Sequence, residues 1–305
     1  MKKSLLSSPR ILSLLRGIRP INVSAPLSTL TTFAIGGPAE ILITPGSAEE
    51  VGPILDLLAG EGIRWRILGG GSNLLVSDRG VKGAVVRMAS PFDSSRFEGR
   101  LLHAAAGARL PALARAAAER GLGGLEFSAF IPGTAGGAAA TNAGASGQDF
   151  SAIVRRVRAW RPGEGVKEYA RDECGFVYRG SRFLGGSEAI LEVVCELEPS
   201  SPEAVRKRMR EIGEERKRRF PLGFPSAGSV FKNPPGGAAG HLIEAAGLKG
   251  EKRGGAQISE MHANWIVNLG SARSEDIRTL IDLARARVRE ESGVALEPEI
   301  VIWDD

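Results

Sequence analysis

The sequence predicts an α+β protein built in two lobes around a glycine-lined region, and three observations carry that expectation. Short apolar, strand-like runs dominate up to about residue 200, and longer charged helical patterns follow. Glycine, at 40 of 305 residues, is roughly twice its usual share and bunches at 69–71, 133–147 and 236–255 with no linker or collagen period. Two separated segments, 67–76 and 225–234, are poor core material but good anion-binding material.

The elements follow in order. Residues 39–45 read as a strand, and Ser47 caps a helix to about residue 59, with Glu49 and Glu50 where the positive end of the helix dipole favours acids. Residues 63–68 form a strand that feeds the triple glycine, 74–76 resume as strand, and 83–88 form another. This βαββ unit presents backbone amides at its strand ends. Residues 101–106 are a strand, and Pro111 suits the first turn of a helix to residue 120. A hairpin joins 154–160 to 166–169 around Pro162-Gly163-Glu164-Gly165, and 189–197 is a further strand. Ser201-Pro202-Glu203 opens a charged helix to about residue 217, so a boundary falls near 199–202. Residues 240–247 form a short helix, Ser274 caps a longer one ending near Ser292-Gly293, and 297–303 is the closing strand. The sequence has no internal repeat.

Composition narrows the function. Apolar residues (43%) and charged residues (25%) stand at the levels of an ordinary soluble protein, which argues against disorder. The net charge of +5 suits an anionic substrate. The basic run 206–219 is interleaved with Glu211, Glu214 and Glu215 and lacks aromatic residues, so it reads as a solvated helix face and not as a nucleic-acid surface. Cys174 and Cys195 form no CxxC, and His103, His241 and His262 have no ligand spacing, so neither a disulfide framework nor a metal site is expected. Lys2 and Lys3 precede an apolar run in the manner of a secretory signal, but Pro9, Arg10 and Arg16 break it early. The uncharged stretch 127–148 is too rich in small residues, Pro132 and Asn142 to span a bilayer, and the expected location is the cytoplasm.

Four motifs carry chemistry. Gly69-Gly70-Gly71-Ser72-Asn73 is not a dinucleotide fingerprint, because its glycines are consecutive and strand follows. Its amides, with the Ser72 hydroxyl and Asn73 amide, can hold a pyrophosphate, or the segment can be a tight interstrand turn. Pro132-Gly133-Thr134 with Gly136 and Gly137, then Asn142, Gly144 and Ala145, gives a backbone on which a flat ring can lie, or a close helix packing. In 228–234, Ser229 stands near Lys232 and Asn233 on a glycine-led turn; no Ser-His-Asp order or nucleophile elbow is present, so the serine fits a proton donor or a capped turn. Arg179, after Tyr178, can grip a carboxylate with its planar fork, and Glu299 sits among apolar neighbours near the C-terminus.

These residues, in this order, resemble the UDP-N-acetylenolpyruvoylglucosamine reductase family, MurB, of peptidoglycan synthesis. The resemblance runs from Thr31-Thr32-Phe33-Ala34-Ile35-Gly36-Gly37 through the triple glycine, 131–137, Tyr178-Arg179 and 226–234. It continues through Gly255-Ala256-Gln257-Ile258-Ser259 and His262-Ala263-Asn264 to the ending 297–300, and so covers nearly the whole chain. It implies an FAD-binding domain of the vanillyl-alcohol-oxidase (PCMH) type in two lobes, at 1–82 with the strand 297–305 and at 83–200, plus a C-terminal α/β substrate-binding domain at 201–296. It implies a non-covalent FAD held by Gly69 to Asn73, Pro132, Gly133, Thr134, Gly136, Gly137, Asn142, Gly144 and Ala145. NADPH is the implied hydride donor and UDP-N-acetylglucosamine enolpyruvate the implied substrate, acted on by a monomer without membrane insertion. By the same resemblance Arg179 and Glu299 stabilise the enolate, Ser229 protonates it, and Tyr178, Lys232, Asn233 and Gln257 lie near the substrate. The short span between Arg179 and the serine loop matches the shorter subtype. Ala34, Phe220 and the ending after Ile302 depart from the family pattern.

That chemistry is coherent. Hydride addition to the β-carbon leaves negative charge on the neighbouring carboxylate, where a guanidinium and a positioned acid act, and a hydroxyl then protonates the α-carbon. A flavin oxidase of the same superfamily acting on an alcohol or hydroxy acid is the rival enzyme, although neither glycine loop carries the histidine or cysteine that often tethers its FAD. A non-enzymatic nucleotide-binding module would keep the glycine loops without needing Arg179, Ser229 and Glu299 together.

Overall fold

The structure, a computed structural model, describes residues 8–304. Lys2 and Lys3, and with them the start of the signal-like run, lie outside the described residues. The chain divides into two units: 1–24 with 40–70 and 82–214, and 25–39 with 71–81 and 215–305.

Two sheets lie mainly in the first unit. A four-stranded sheet is ordered Ile21–Pro26, Pro38–Ile43, Val81–Arg87, Trp65–Leu68, with the last two strands parallel. Helices Pro9–Ile18 and Ala48–Gly60 bury Ile11, Leu15, Val51, Ile54, Leu55 and Leu58 in the same core as Ile41, Ile43, Ala84 and Val86 of that sheet. Ser47 does occupy the N-cap position, but its side chain bonds Glu49 instead of the helix backbone, which holds the Glu49 carboxyl below its usual value. The other sheet is antiparallel throughout, ordered Gly165–Ala170, Val154–Arg161, Ala189–Glu196, Leu101–Ala105, Ser95–Glu98. Gly52 lets the helix Ala48–Gly60 close on this sheet: a Cβ there would stand 2.7 Å from the Trp160 ring. Helix Leu110–Glu119 buries Leu110, Leu113, Ala114, Ala117 and Ala118, the alternating three- and four-residue spacing of one helix face.

The second unit builds its core from helix Ser274–Ser292, which buries Ile277, Leu280, Ile281, Ala284 and Val288 beside a three-stranded antiparallel sheet, Lys252–Arg253, Ala256–Ile258 and Ile266–Asn268. Ser274 is the first helical residue, not the cap. Asp78 takes the capping part: its carboxylate accepts from the Ser274 N–H (2.9 Å) and Ser274 Oγ (2.8 Å). The closing strand is shorter than expected. Only Val301–Trp303 is strand, paired in parallel with Leu74–Val76. Pro298, which has no N–H, makes only an isolated bridge with Phe231.

Candidate active site

Strand Trp65–Leu68 delivers its C-terminal end into the glycine loop. In the first unit Gly69 and Gly70 lie so close to the second glycine-rich segment that side chains are excluded. A Cβ on Gly69 would stand 2.7 Å from Thr134 Oγ1, and one on Gly70 2.7 Å from the Pro132 carbonyl oxygen and 3.2 Å from Gly133 Cα. In the second unit Gly71 has φ +62°, its carbonyl accepts the Thr32 N–H at 3.0 Å, and a Cβ there would stand 2.0 Å from the Leu30 carbonyl oxygen. Among the described residues no protein oxygen accepts from the backbone N–H of Gly69, Gly70, Gly71, Ser72 or Asn73, and the Ser72 hydroxyl has no partner. Backbone amides that no protein group accepts are open to solvent or to an anion.

The second glycine-rich segment behaves differently. It is a short helix, Ala135–Thr141, capped by Thr134. Its first amides are already engaged: Ala135 donates to Ala108 O, Gly136 to Ala106 O and Gly137 to Thr134 Oγ1. The small residues there serve close packing, since a Cβ on Gly136 would stand 2.9 Å from Ala106 Cβ. What this segment offers a flat ring is the backbone of Pro132 and Gly133. Asn142 ends the helix in a left-handed conformation (φ 45°, ψ 59°), and its buried amide bonds the Val177 carbonyl and the Ser151 N–H. Gly144 and Ala145 pair antiparallel with Gln148 and Asp149.

Arg179 belongs to the first unit. It sits at φ +57° in a tight turn, half-buried, with Nη2 donating to the Gly144 carbonyl at 3.1 Å and the guanidinium 5.1 Å from the exposed Tyr178 ring.

Ser229 and Glu299 belong to the second unit, on adjoining backbones. The Glu299 N–H donates to the Val230 carbonyl at 2.7 Å, and the Glu299 carbonyl accepts from Asn73 Nδ2 at 3.0 Å. Asn73 therefore ties the glycine loop to the acid's backbone. Ser229 is half-buried after Gly228 at φ +76°, and its hydroxyl has no protein partner among the described residues. Ser229 makes an isolated bridge with Trp265, and two residues on the buried Asn264 side chain accepts from the Phe231 N–H (2.9 Å) and donates to the Phe231 carbonyl (2.8 Å), doing the work of a neighbouring strand. The His262 Nδ1 accepts the Asn264 N–H at 3.3 Å, and burial pushes that imidazole below its usual pKa, in keeping with a neutral ring.

The remaining substrate candidates are held within the protein. Lys232 is ion-paired with Glu297. Asn233 Oδ1 accepts the Ala239 N–H at 3.0 Å at the start of helix Ala239–Ala245. Gln257 Nε2 donates to the Gly250 carbonyl at 3.1 Å. Burial pushes the Cys195 thiol up to about 12 and Cys174 to about 11, so neither is a thiolate near neutral pH.

The sequence singled out neither Asp78 nor Ser181 and used Asn264 only as part of a motif. Each acts on backbone distant in the chain, and nothing local in the sequence marks such a partner.

Comparison with known proteins falls on the same elements. Residues 39–167 match the FAD binding domain family, and residues 220–303 match the C-terminal domain of UDP-N-acetylenolpyruvoylglucosamine reductase. UDP-N-acetylenolpyruvoylglucosamine reductase 2 of Symbiobacterium thermophilum is 44% identical over 295 residues, 96% of each chain. The reductase of Bacillus subtilis is 37% identical over 288 residues, 94% of this chain and 95% of that one. The crystal structure of the Thermus caldophilus reductase (MurB) superposes with a TM-score of 0.80 at 36% identity, covering 94% of this chain and 99% of that one. A likeness to alkyldihydroxyacetonephosphate synthase, at 17% identity and a TM-score of 0.50 over 63% of this chain and 41% of that one, speaks to the fold alone.

Proposed function

This chain belongs to the UDP-N-acetylenolpyruvoylglucosamine reductase family, and from that premise we propose that it reduces the enolpyruvyl ether of UDP-N-acetylglucosamine to UDP-N-acetylmuramate with NADPH, through a non-covalent FAD, as a cytoplasmic monomer in peptidoglycan precursor synthesis. The observation that supports this most is the second unit's pairing of a partnerless serine hydroxyl with an acid on the adjoining backbone, Ser229 beside the Glu299 segment. A nucleotide-binding module has no use for that pairing.

FAD fits the residues present. The acceptor-free amides of 69–73 and the Ser72 hydroxyl suit its pyrophosphate, and the Pro132-Gly133 backbone suits a flat ring. When bound, FAD carries hydride equivalents from NADPH to the β-carbon of the enolpyruvyl group. The chain's own residues do the rest. Arg179 binds the substrate carboxylate, and with Glu299 it stabilises the charge that develops there. Ser229 Oγ, two residues before the Asn264 clip on Phe231, gives its proton to the α-carbon. Lys232, Asn233 and Gln257, each fixed by its protein partners, border the nucleotide, with Tyr178. In functional terms 1–82 with 297–305 and 83–200 serve the FAD, and 201–296 serves the nucleotide.

The test is made on protein reconstituted with FAD, in the absence of air. NADPH should bleach the yellow colour, and UDP-N-acetylglucosamine enolpyruvate should restore it, while UDP-N-acetylglucosamine without the enolpyruvyl group should not. Bleaching by an alcohol or hydroxy acid, with colour restored only by oxygen, would establish the oxidase instead.

A further inference from the structure

The turn that carries Arg179 is fastened to the end of the glycine–alanine helix at three points. Tyr178 and Arg179 are the central residues of a two-residue turn closed by Val177 N–H to Gly180 O (3.0 Å) and Gly180 N–H to Val177 O (3.2 Å). Arg179 is left-handed there, a conformation that a residue with a Cβ keeps only when its surroundings impose it. The Val177 carbonyl accepts a second bond, from Asn142 Nδ2 at 3.0 Å. Ser181 Oγ donates to the Ala140 carbonyl at 2.8 Å. The guanidinium itself donates to the Gly144 carbonyl, and a Cβ on Gly144 would stand 2.8 Å from Arg179 Nη1.

Asn142 is the joint of this arrangement. It is 3% exposed, and its Oδ1 accepts the Ser151 N–H at 2.9 Å. One neighbour offers a hydrogen and the other a carbonyl, so an amide in this one orientation satisfies both, and an ionised carboxylate does not. Its left-handed backbone stops the helix and brings Gly144, two residues on, to the guanidinium.

We propose that Asn142 is a positioning residue for Arg179: its amide fixes the turn's backbone while its own backbone sets Gly144 against the guanidinium. This replaces its reading as a direct cofactor contact. The proposal rests on the function proposed above only for the identity of the substrate that Arg179 meets.

The test is a double-mutant cycle with Asn142→Asp and Arg179→Ala, each assayed with FAD content, bleaching by NADPH and restoration of colour by the enolpyruvyl nucleotide. Asn142→Asp keeps the acceptor for Ser151 and sets an oxygen against the Val177 carbonyl. It should retain FAD and NADPH bleaching, and slow the return of colour on the order of 10–100-fold, the scale of misplacing a reacting group. In the Arg179→Ala background the same change should cost less than about twofold. Equal costs in both backgrounds, or loss of FAD in step with activity, would overturn the proposal. Should Asn142→Asp fold poorly, Asn142→Gly, which permits the left-handed backbone and removes the amide without burying a charge, should show the same dependence on Arg179. A wild type that ignores the enolpyruvyl nucleotide would sink the functional reading alone. The positioning claim is then judged by a crystal structure of either variant, in which Arg179 must leave its left-handed backbone or the Gly144 carbonyl; an unchanged turn overturns it.

Discussion

Arg179 holds a backbone conformation that costs an L residue roughly 1–2 kcal/mol, so the turn around it is built for that side chain and not around a tolerant one. Arg179→Lys keeps the charge and loses the planar fork, and it should slow restoration of colour by the enolpyruvyl nucleotide on the order of 10²-fold, as for loss of one preorganised donor. Bleaching by NADPH should survive, and stopped-flow absorbance separates the two. Ser229 separates them further. Ser229→Ala should bleach normally and recover colour on the order of 10²–10⁴-fold more slowly, with Ser229→Cys regaining part of the loss. A normal rate for Ser229→Ala would leave the serine a turn residue. At this scale the sequence offers candidates by kind and not by partner. Ser229 and Arg179 are proposed from their chemistry and setting. Asn73 and Asn142 look like ligand groups, yet their amides reach backbone 226 and 35 residues away, at Glu299 and Val177. A short polar side chain bonds ligand or backbone equally well, and only the fold decides which.

The glycine loop and the helix cap are features of elements. Gly71 has a positive φ, and a Cβ there would collide with the Leu30 carbonyl oxygen at 2.0 Å. Gly71→Ala should therefore distort the amide run and yield protein that purifies with little FAD, measured by the colour released on heat precipitation. Full colour at full yield would deny the loop its part. Asp78→Ala removes the acceptor for both Ser274 donors and should lower stability by roughly 1–2 kcal/mol, read as a lower urea midpoint. An unchanged midpoint would mean that solvent or Asp276 caps as well. Strands with clear apolar runs, such as Val81–Arg87 and Ala189–Glu196, and helices with clean starts, such as Leu110–Glu119, were legible. Ser95–Glu98 was not, because it is a polar edge strand with no apolar alternation. Lys252–Arg253 and Ala256–Ile258 are too short for a period to show. Helix Pro9–Ile18 hid behind its resemblance to a signal segment, although its buried Ile11 and Leu15 lie one turn apart.

At the scale of the whole molecule, the order of motifs carried more than any single motif. The α+β class, the FAD-binding domain and the family were all legible, because the glycine loops, the arginine, the serine turn and the late acid are spread along nearly the whole chain, and its relatives match it over 94–96% of its length. Among the described residues no helix is long and apolar enough to cross a membrane, and the uncharged stretch around 127–148 folds instead into short pieces such as helix Ala135–Thr141. The chain enters the second unit at 25–39 and 71–81 before returning to it for good at 215, an interleaving that sequence patterns do not reveal because it rests on contacts between distant segments. The central claim, that this interleaved chain reduces a carbon–carbon double bond on a sugar nucleotide, is tested most directly by mass spectrometry. FAD-loaded protein is mixed with NADPH and UDP-N-acetylglucosamine enolpyruvate without air. The account predicts a nucleotide heavier by two hydrogen atoms, formed mole for mole with the NADPH consumed. An unaltered nucleotide, with NADPH consumed only when oxygen is admitted, would contradict it.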